Sequence, residues 1–140
     1  MKLSIKKLFP EAKVPQFALA YDAGLDLCTK EDIEFAPGER KGIATGLAFA
    51  IPEGYVGLIW DKSGIALKRG LKTMGGVIDA GYRGEVIVIA KNLADQTLTF
   101  SAGEKVAQLL IQKVEHPFVE EVSELPESER GESAFGSTGL

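Results

Sequence analysis

Apolar residues in this chain come in short runs cut by turn signals, and few of them hold a helical period. "LSIKKL" alternates polar and apolar positions at period two, which predicts a half-buried strand. "PGERKGIATGLAFAIPEGYVGLIW" predicts two or three strands, with "IPEG" as a turn that Pro52 opens and Gly54 closes. "EVIVIAKN" and "LTFSAGEKVAQLLIQKV" add further strands, the second broken by a Ser-Ala-Gly turn. One stretch differs: "SGIALKRGL" carries Ser63 as a good N-cap and Gly70 as a good C-cap, predicting a helix of about two turns. Everything else predicts an all-β fold of sandwich or barrel type.

The pattern changes at the end of the chain. "SELPESERGESAFGSTGL" is small, polar and glycine-bearing, without apolar periodicity. It predicts a core over residues 1–122 and a mobile arm over 123–140. Phe135 has no core of its own to enter there. Either it is a stray aromatic on a disordered end, or it packs on a partner subunit, a ligand or both.

At 140 residues and 45% hydrophobic, the chain is the size of one ordinary domain with a real core. A net charge of -4 argues against a general nucleic-acid binder, which needs a basic patch to replace phosphate counterions. Cys28 is the only cysteine, so no intrachain disulfide forms; it reads as a small buried hydrophobe in a reducing compartment. "MKLSIKKLF" never reaches a signal-peptide apolar run, and no stretch approaches membrane-spanning length. The expectation is a soluble cytoplasmic protein.

Four stretches carry candidate chemistry. In "GVIDAGYRGE", Val77 and Ile78 read as strand residues and Ala80-Gly81 as a reversal, placing Asp79 at the shoulder of a β-hairpin. Such an acid is either a turn cap bonded to its own backbone or an acceptor beside the Tyr82 ring, where free backbone groups suit the edge of a planar base. In "DKSGIALKRGL", Ser63 either caps the helix or, with Gly64 and the charge of Lys62, meets a phosphate or carboxylate at the helix start. "YDAGLDL" sets Asp22 and Asp26 around a glycine turn, as turn caps or facing a hydrated divalent cation. "GEKVAQLL" puts Gln108 in an apolar strand, where its amide needs backbone or a ligand oxygen. His116, the only histidine, precedes Pro117 in a polar strand end and reads as exposed. No Cys/His metal spacing, Ser-His-Asp set or Walker phosphate loop occurs.

In order along the chain, "AGLDL", the core "KSG", "GVIDAGYRGE", "GEKVAQLL" and "RGESAFGSTG" resemble the five motifs of the homotrimeric deoxyuridine triphosphatase (dUTPase) family. The likeness runs from Asp22 to the C-terminus, and the opening "LSIKKL" is similar to the family's first strand. It implies an eight-stranded-type jelly roll that trimerises, each active site being built from three chains. Uracil would sit on backbone groups of Gly76, Val77 and Ile78. Tyr82 would pack under the deoxyribose and crowd out a 2'-hydroxyl. Asp79 would orient and activate a water attacking the α-phosphorus of dUTP, giving dUMP and pyrophosphate. Lys62, Ser63 and Gly64 would bind phosphate, and Gln108 an α-phosphate oxygen. Asp26 would contact waters on a Mg²⁺ held by the triphosphate. The arm would close over a neighbouring site, with Phe135 on uracil and Arg130, Gly136, Ser137 and Thr138 around the γ-phosphate.

Three departures from the family pattern stand out. Asp61-Lys62 replace the usual Pro-Arg, Lys105 replaces an arginine, and Ser133-Ala134 replace two glycines. A lysine neutralises phosphate as a point charge without gripping two oxygens in one plane. The rival dCTP deaminases need a proton-carrying glutamate where this chain has Ile89, and an isoleucine transfers no proton. A catalytically silent nucleotide binder, the other rival, would not need Asp79.

Overall fold

The computed structural model describes residues 1–129 and 131–132. These hold one helix, α1 (Ser63–Arg69), and eleven short strands. The strands are β1 (Ser4–Lys7), β2 (Leu25–Cys28), β3 (Ile33–Phe35), β4 (Arg40–Ala44), β5 (Leu47–Ala50) and β6 (Tyr55–Trp60) before the helix. After it come β7 (Leu71–Thr73), β8 (Val77–Ile78), β9 (Ile87–Asn92), β10 (Leu98–Phe100) and β11 (Lys105–Lys113). Every ladder is antiparallel. One sheet runs β2-β11-β6-β8 and a second β4-β9-β7, with two-stranded pairs β1-β5 and β10-β3 beside them.

The strands are more numerous than the eight-stranded likeness implies because strands change partners at turns. Thr45-Gly46 divides one extended run: β4 pairs with β9, whereas β5 pairs with β1. Thr45 Oγ1 donates to Val86 O at 2.7 Å and accepts the Leu47 N–H at 3.2 Å, which fixes that change of sheet. The IPEG turn forms as predicted, with Tyr55 N donating to Pro52 O at 3.1 Å. The Ser-Ala-Gly turn before β11 closes with Glu104 N on Ser101 O at 2.9 Å.

Leu27, Phe35, Ile43, Val88, Phe100 and Leu109 centre the core, each at most 1% exposed. Burial of each such side chain stabilises by about 1.5–3 kcal/mol. β9 shows the period-two logic: Val88, Ala90 and Asn92 point inward while Ile87 and Ile89 point out. Asn92 is buried without cost in orphaned groups. Its Nδ2 donates to Phe35, Ala36 and Gln96 carbonyls, and its Oδ1 accepts the Ala94 N–H.

Two sequence expectations need correction. Lys62, not Ser63, is the N-cap of α1: its backbone is extended and its carbonyl accepts the N–H groups of Ile65 and Ala66, both at 2.9 Å. Ser63 is the first helical residue and makes no side-chain cap, because the break from β6 comes one residue earlier than its side-chain type implied. Gly70 does cap the C-terminus, its N–H donating to Ala66 O at 3.1 Å. The hairpin around Asp79 is also built differently. β8 pairs with β6 rather than with the strand that follows it. The hairpin proper is β7 with β9, and residues 74–86 are its long connection.

Candidate active site

The stretch around Asp79 is held against the core by close backbone contact. Ile59 N donates to Gly76 O at 2.8 Å, and a methyl added at Gly76 would lie 2.9 Å from Ile59 O. Gly76 also has φ +92°, which other residues rarely adopt, so glycine is required for this approach. It delivers Val77 and Ile78 onto β6, opposite Leu58 and Gly57. Because β8 is the last strand of its sheet, its outer edge keeps backbone donors and acceptors free of any strand partner.

Asp79 follows at the turn. The turn is closed by backbone, Tyr82 N donating to Asp79 O at 3.0 Å, and no described side chain or N–H bonds the exposed carboxylate. The turn-cap alternative for Asp79 therefore does not describe what its side chain does here. Asp79 lines a cleft of about 680 Å³ together with Tyr55, Val77, Ala80 and His116. With Tyr82 and Ile78 it also lines a smaller adjoining pocket of about 200 Å³.

Tyr82 is half-exposed and its ring is fixed at both ends. Its Oη donates to Glu85 O at 3.0 Å, and the ring lies over Gly84. A methyl at Gly84 would stand 2.4 Å from Tyr82 Oη and 2.6 Å from Cζ. Gly84→Ala is therefore expected to displace the ring while leaving the fold intact, since a surface side chain can swing away. Steady-state kinetics should show kcat/KM down about tenfold, with Tm nearly unchanged.

Glu85 anchors the far end of this connection. Its Oε1 accepts the Gly46 N–H at 2.7 Å and faces Lys30 Nζ at 3.4 Å. Nothing near Glu85 in sequence signals that role, because its partners lie decades of residues away. Arg83 stiffens the turn through its Nη1, which donates to the carbonyls of Ala80 and Tyr82.

A second cluster gathers where β6 runs into α1. Asp26 on β2 is 7% exposed and ion-paired through its two oxygens, Oδ1 to Lys62 and Oδ2 to Lys105. Burial pushes its carboxyl up, but the two lysines outweigh that and the pKa is lowered. Two ammonium groups around one carboxylate leave a net positive corner, suited to an anion. Gln108 on β11 sits between Asp26 and Trp60 in register, half-buried, and its Nε2 donates to Asp61 O at 2.8 Å. An amide nitrogen carries two donors, so one remains. Gln108, Ser63 and Trp60 line a groove of about 560 Å³. Ser63 and Gly64 present N–H groups that no described carbonyl accepts, as at any helix start.

Asp22 resolves to the turn-cap alternative: its Oδ2 accepts the Leu19 N–H at 2.9 Å. It does not join Asp26. Among the described residues no group of three or more His, Cys, Asp or Glu is placed to hold a metal ion directly. Cys28 is buried and burial pushes its thiol up, which leaves it an inert hydrophobe. No described helix is long and apolar enough to cross a membrane. Arg130, Phe135, Gly136, Ser137 and Thr138 lie outside the described residues.

The two clusters stand apart within one chain. Ile78 is opposite Gly57 and Gln108 opposite Trp60, and antiparallel pairing carries Asp79 away from Trp60 toward Val56. From Val56 to Trp60 is about 13 Å along the strand, and Ser63 lies farther on.

Comparison with known proteins shows the family. The family model described as dUTPase matches residues 10–139. A deoxyuridine 5'-triphosphate nucleotidohydrolase of Thermobifida fusca is 44% identical over 99% of this chain and 79% of its own length. That of Clostridium kluyveri is 42% identical over 99% of both chains. Among solved structures, a mutant of the Staphylococcus bacteriophage 80alpha dUTPase with dUpNHpp superposes with a TM-score of 0.94 at 33% identity, covering 99% of both chains. A mutant dUTPase from phage phi11 of S. aureus, described as revealing the coordination of a structural Mg(II) ion, gives 0.83 at 31% identity over 89% of this chain and 98% of that one. With a family model matched over residues 10–139 and relatives 42–44% identical over 99% of its length, this chain belongs to the dUTPase family.

Proposed function

We propose that this protein hydrolyses dUTP to dUMP and pyrophosphate, limiting uracil incorporation into DNA and supplying dUMP for dTTP synthesis. The observation that carries the mechanism is Asp79, an exposed carboxylate whose turn is closed by backbone and which faces the cleft beside Tyr82. Asp79 accepts a proton from water as its oxygen bonds to the α-phosphorus. The bond from that phosphorus to the oxygen bridging to the β-phosphorus breaks, and pyrophosphate leaves with the electron pair.

The free edge of β8 at Gly76, Val77 and Ile78 reads the uracil edge, and the Tyr82 ring under the sugar leaves no room for a 2'-hydroxyl. Lys62, Ser63, Gly64 and the remaining Gln108 donor hold phosphate oxygens. The described residues build no direct Mg²⁺ cage, so the ion would arrive on the triphosphate; Asp26, with both oxygens paired to Lys62 and Lys105, would accept from its waters only where a lysine turns to the phosphates. When bound, Mg²⁺ neutralises phosphate charge.

The separation of Asp79 from the Lys62–Gln108 corner supports sites shared between copies. So do Trp60, Val77, Ile87 and Ile89, strand residues 38–64% exposed whose apolar faces suit a second copy. A homotrimer with composite sites accounts for both, and residues 123–140 form the arm that reaches across to a neighbour's site, bringing Arg130 and Phe135–Thr138.

The test is pyrophosphate release with Mg²⁺ on dUTP, UTP, dTTP and dCTP. Strong preference for dUTP is expected. Equal turnover of UTP would remove the sugar-excluding role of Tyr82, and ammonia release from dCTP would replace the hydrolase with a deaminase.

A further inference from the structure

Asp61 stands where the family pattern has a proline, and it joins three parts of the molecule. Its Oδ1 accepts both the Thr73 N–H at 2.6 Å and the Thr73 Oγ1 hydroxyl at 2.8 Å, while its Oδ2 pairs with Lys72. These bonds tie the end of β6 to β7 across the start of α1. Its own carbonyl accepts Gln108 Nε2 at 2.8 Å from β11. Its sequence neighbours are Lys62, which pairs with Asp26, and Ser63.

We propose that Asp61 is a positioning residue for phosphate binding: its side chain locks the β6–α1 corner so that its carbonyl sets the orientation of the Gln108 amide. This rests on the dUTP reading above.

The physical case has three parts. A proline would restrict this corner by fixing φ; an aspartate leaves φ free, so the restriction comes instead from side-chain bonds to a buried strand residue, Thr73 being 7% exposed. Second, a glutamine amide is symmetric in shape and needs a neighbour to choose which end faces a ligand. The Asp61 carbonyl accepts only from nitrogen, so it turns Nε2 inward to the corner and leaves that nitrogen's second hydrogen for a phosphate oxygen. Gly24 leaves the space that the other end of the amide fills, since a methyl there would stand 2.3 Å from Gln108 Oε1. Third, a bare carboxylate one residue from Lys62 would repel a triphosphate, and Lys72 with the two Thr73 donors offsets that charge. Burial pushes the Asp61 carboxyl up, but Lys72 and Thr73 outweigh it and the pKa is lowered from the ordinary 3.8. The bracket is therefore complete above that pH and weakens only as pH falls through the lowered value.

The experiment compares Asp61→Ala and Asp61→Asn with the native protein in kcat and KM on dUTP, in the native and the Gln108→Ala background. Asp61→Ala is expected to lower kcat/KM about tenfold, chiefly through KM, well below the melting temperature. Asp61→Asn keeps an oxygen for both Thr73 donors and is expected to restore most of the loss. In the Gln108→Ala background, Asp61→Ala should cost little more, because its effect passes through that amide. Native kinetics in Asp61→Ala, or full multiplication of the two losses, would overturn the assignment. The Gln108 side-chain amide resonances in the NMR spectrum read the same bracket without substrate. They should move in Asp61→Ala and hold in Asp61→Asn, and an unmoved amide in Asp61→Ala would overturn the proposal even if dUTP is not the substrate. Native protein silent on dUTP, with the amide shift present, would sink the substrate reading alone.

Discussion

Asp79→Asn is expected to lower kcat for dUTP about 10³-fold, the usual weight of a positioned general base. Asparagine matches the carboxylate in shape but cannot accept a proton from water. The fold should not notice the change. The turn is closed by the Tyr82 N–H on the Asp79 carbonyl, a bond that asparagine keeps, and no described group bonds the carboxylate. Tm should thus stay close to native, since exposed substitutions away from caps and ion pairs rarely exceed about 0.5 kcal/mol. KM should change little, because in the proposed site the edge of β8 reads uracil and Tyr82 the sugar. Burst-phase pyrophosphate release checks the chemical step directly. Native turnover in Asp79→Asn would mean that another group activates the water, and Glu53 and His116, which line the same cleft, would be the next to examine.

Deletion of residues 130–140 is expected to leave the core folded and to cut turnover about 10²-fold or more, as loss of a closing lid does when it removes both positioning and water exclusion. The last strand ends at Lys113, and every described residue from Glu115 onward is exposed. Among the described residues the core cluster draws on nothing after Ile111, so its packing there does not depend on residues 123–129 or 131–132. Circular dichroism and thermal melting of the truncated chain should match the native protein, and sedimentation should report the same oligomer. Phe135→Ala should reproduce part of the loss, and most of it in KM if stacking on uracil is its role. A truncated chain that is unfolded, or fully active, would overturn the lid role.

Much of this was legible in the chain itself. The strand-turn alternation, the IPEG and Ser-Ala-Gly turns, the Gly70 cap and the two-turn helix are local features, decided by side-chain type and backbone preference within a few residues. The pairing was not. A period-two pattern says that Val77 and Ile78 are strand-like but not that β6 is their neighbour, because a two-residue strand has no partner preference of its own. The cap at Lys62 was misassigned to Ser63 for a related reason: cap preference is a weak local term, and the direction in which β6 leaves its sheet overrides it.

The site divides in the same way. Motif and order single out Asp79, Tyr82, Lys62, Gln108 and Asp26 as candidates, because each chemical role needs a particular residue type. Their partnerships were not recognisable. Asp26 is claimed by Lys62 and Lys105, Glu85 by Gly46 and Lys30, and Asp61 by Thr73 and Lys72, pairs that only chain folding brings together. By itself, then, the sequence determined the fold class, the turns and the inventory of reactive groups, since these follow from local preference and side-chain chemistry. Tertiary structure alone decided which carboxylates are spent on lysines and backbone, and that Asp79 has no bonding partner among the described residues, because burial and long-range pairing set the hydrogen bonds of each.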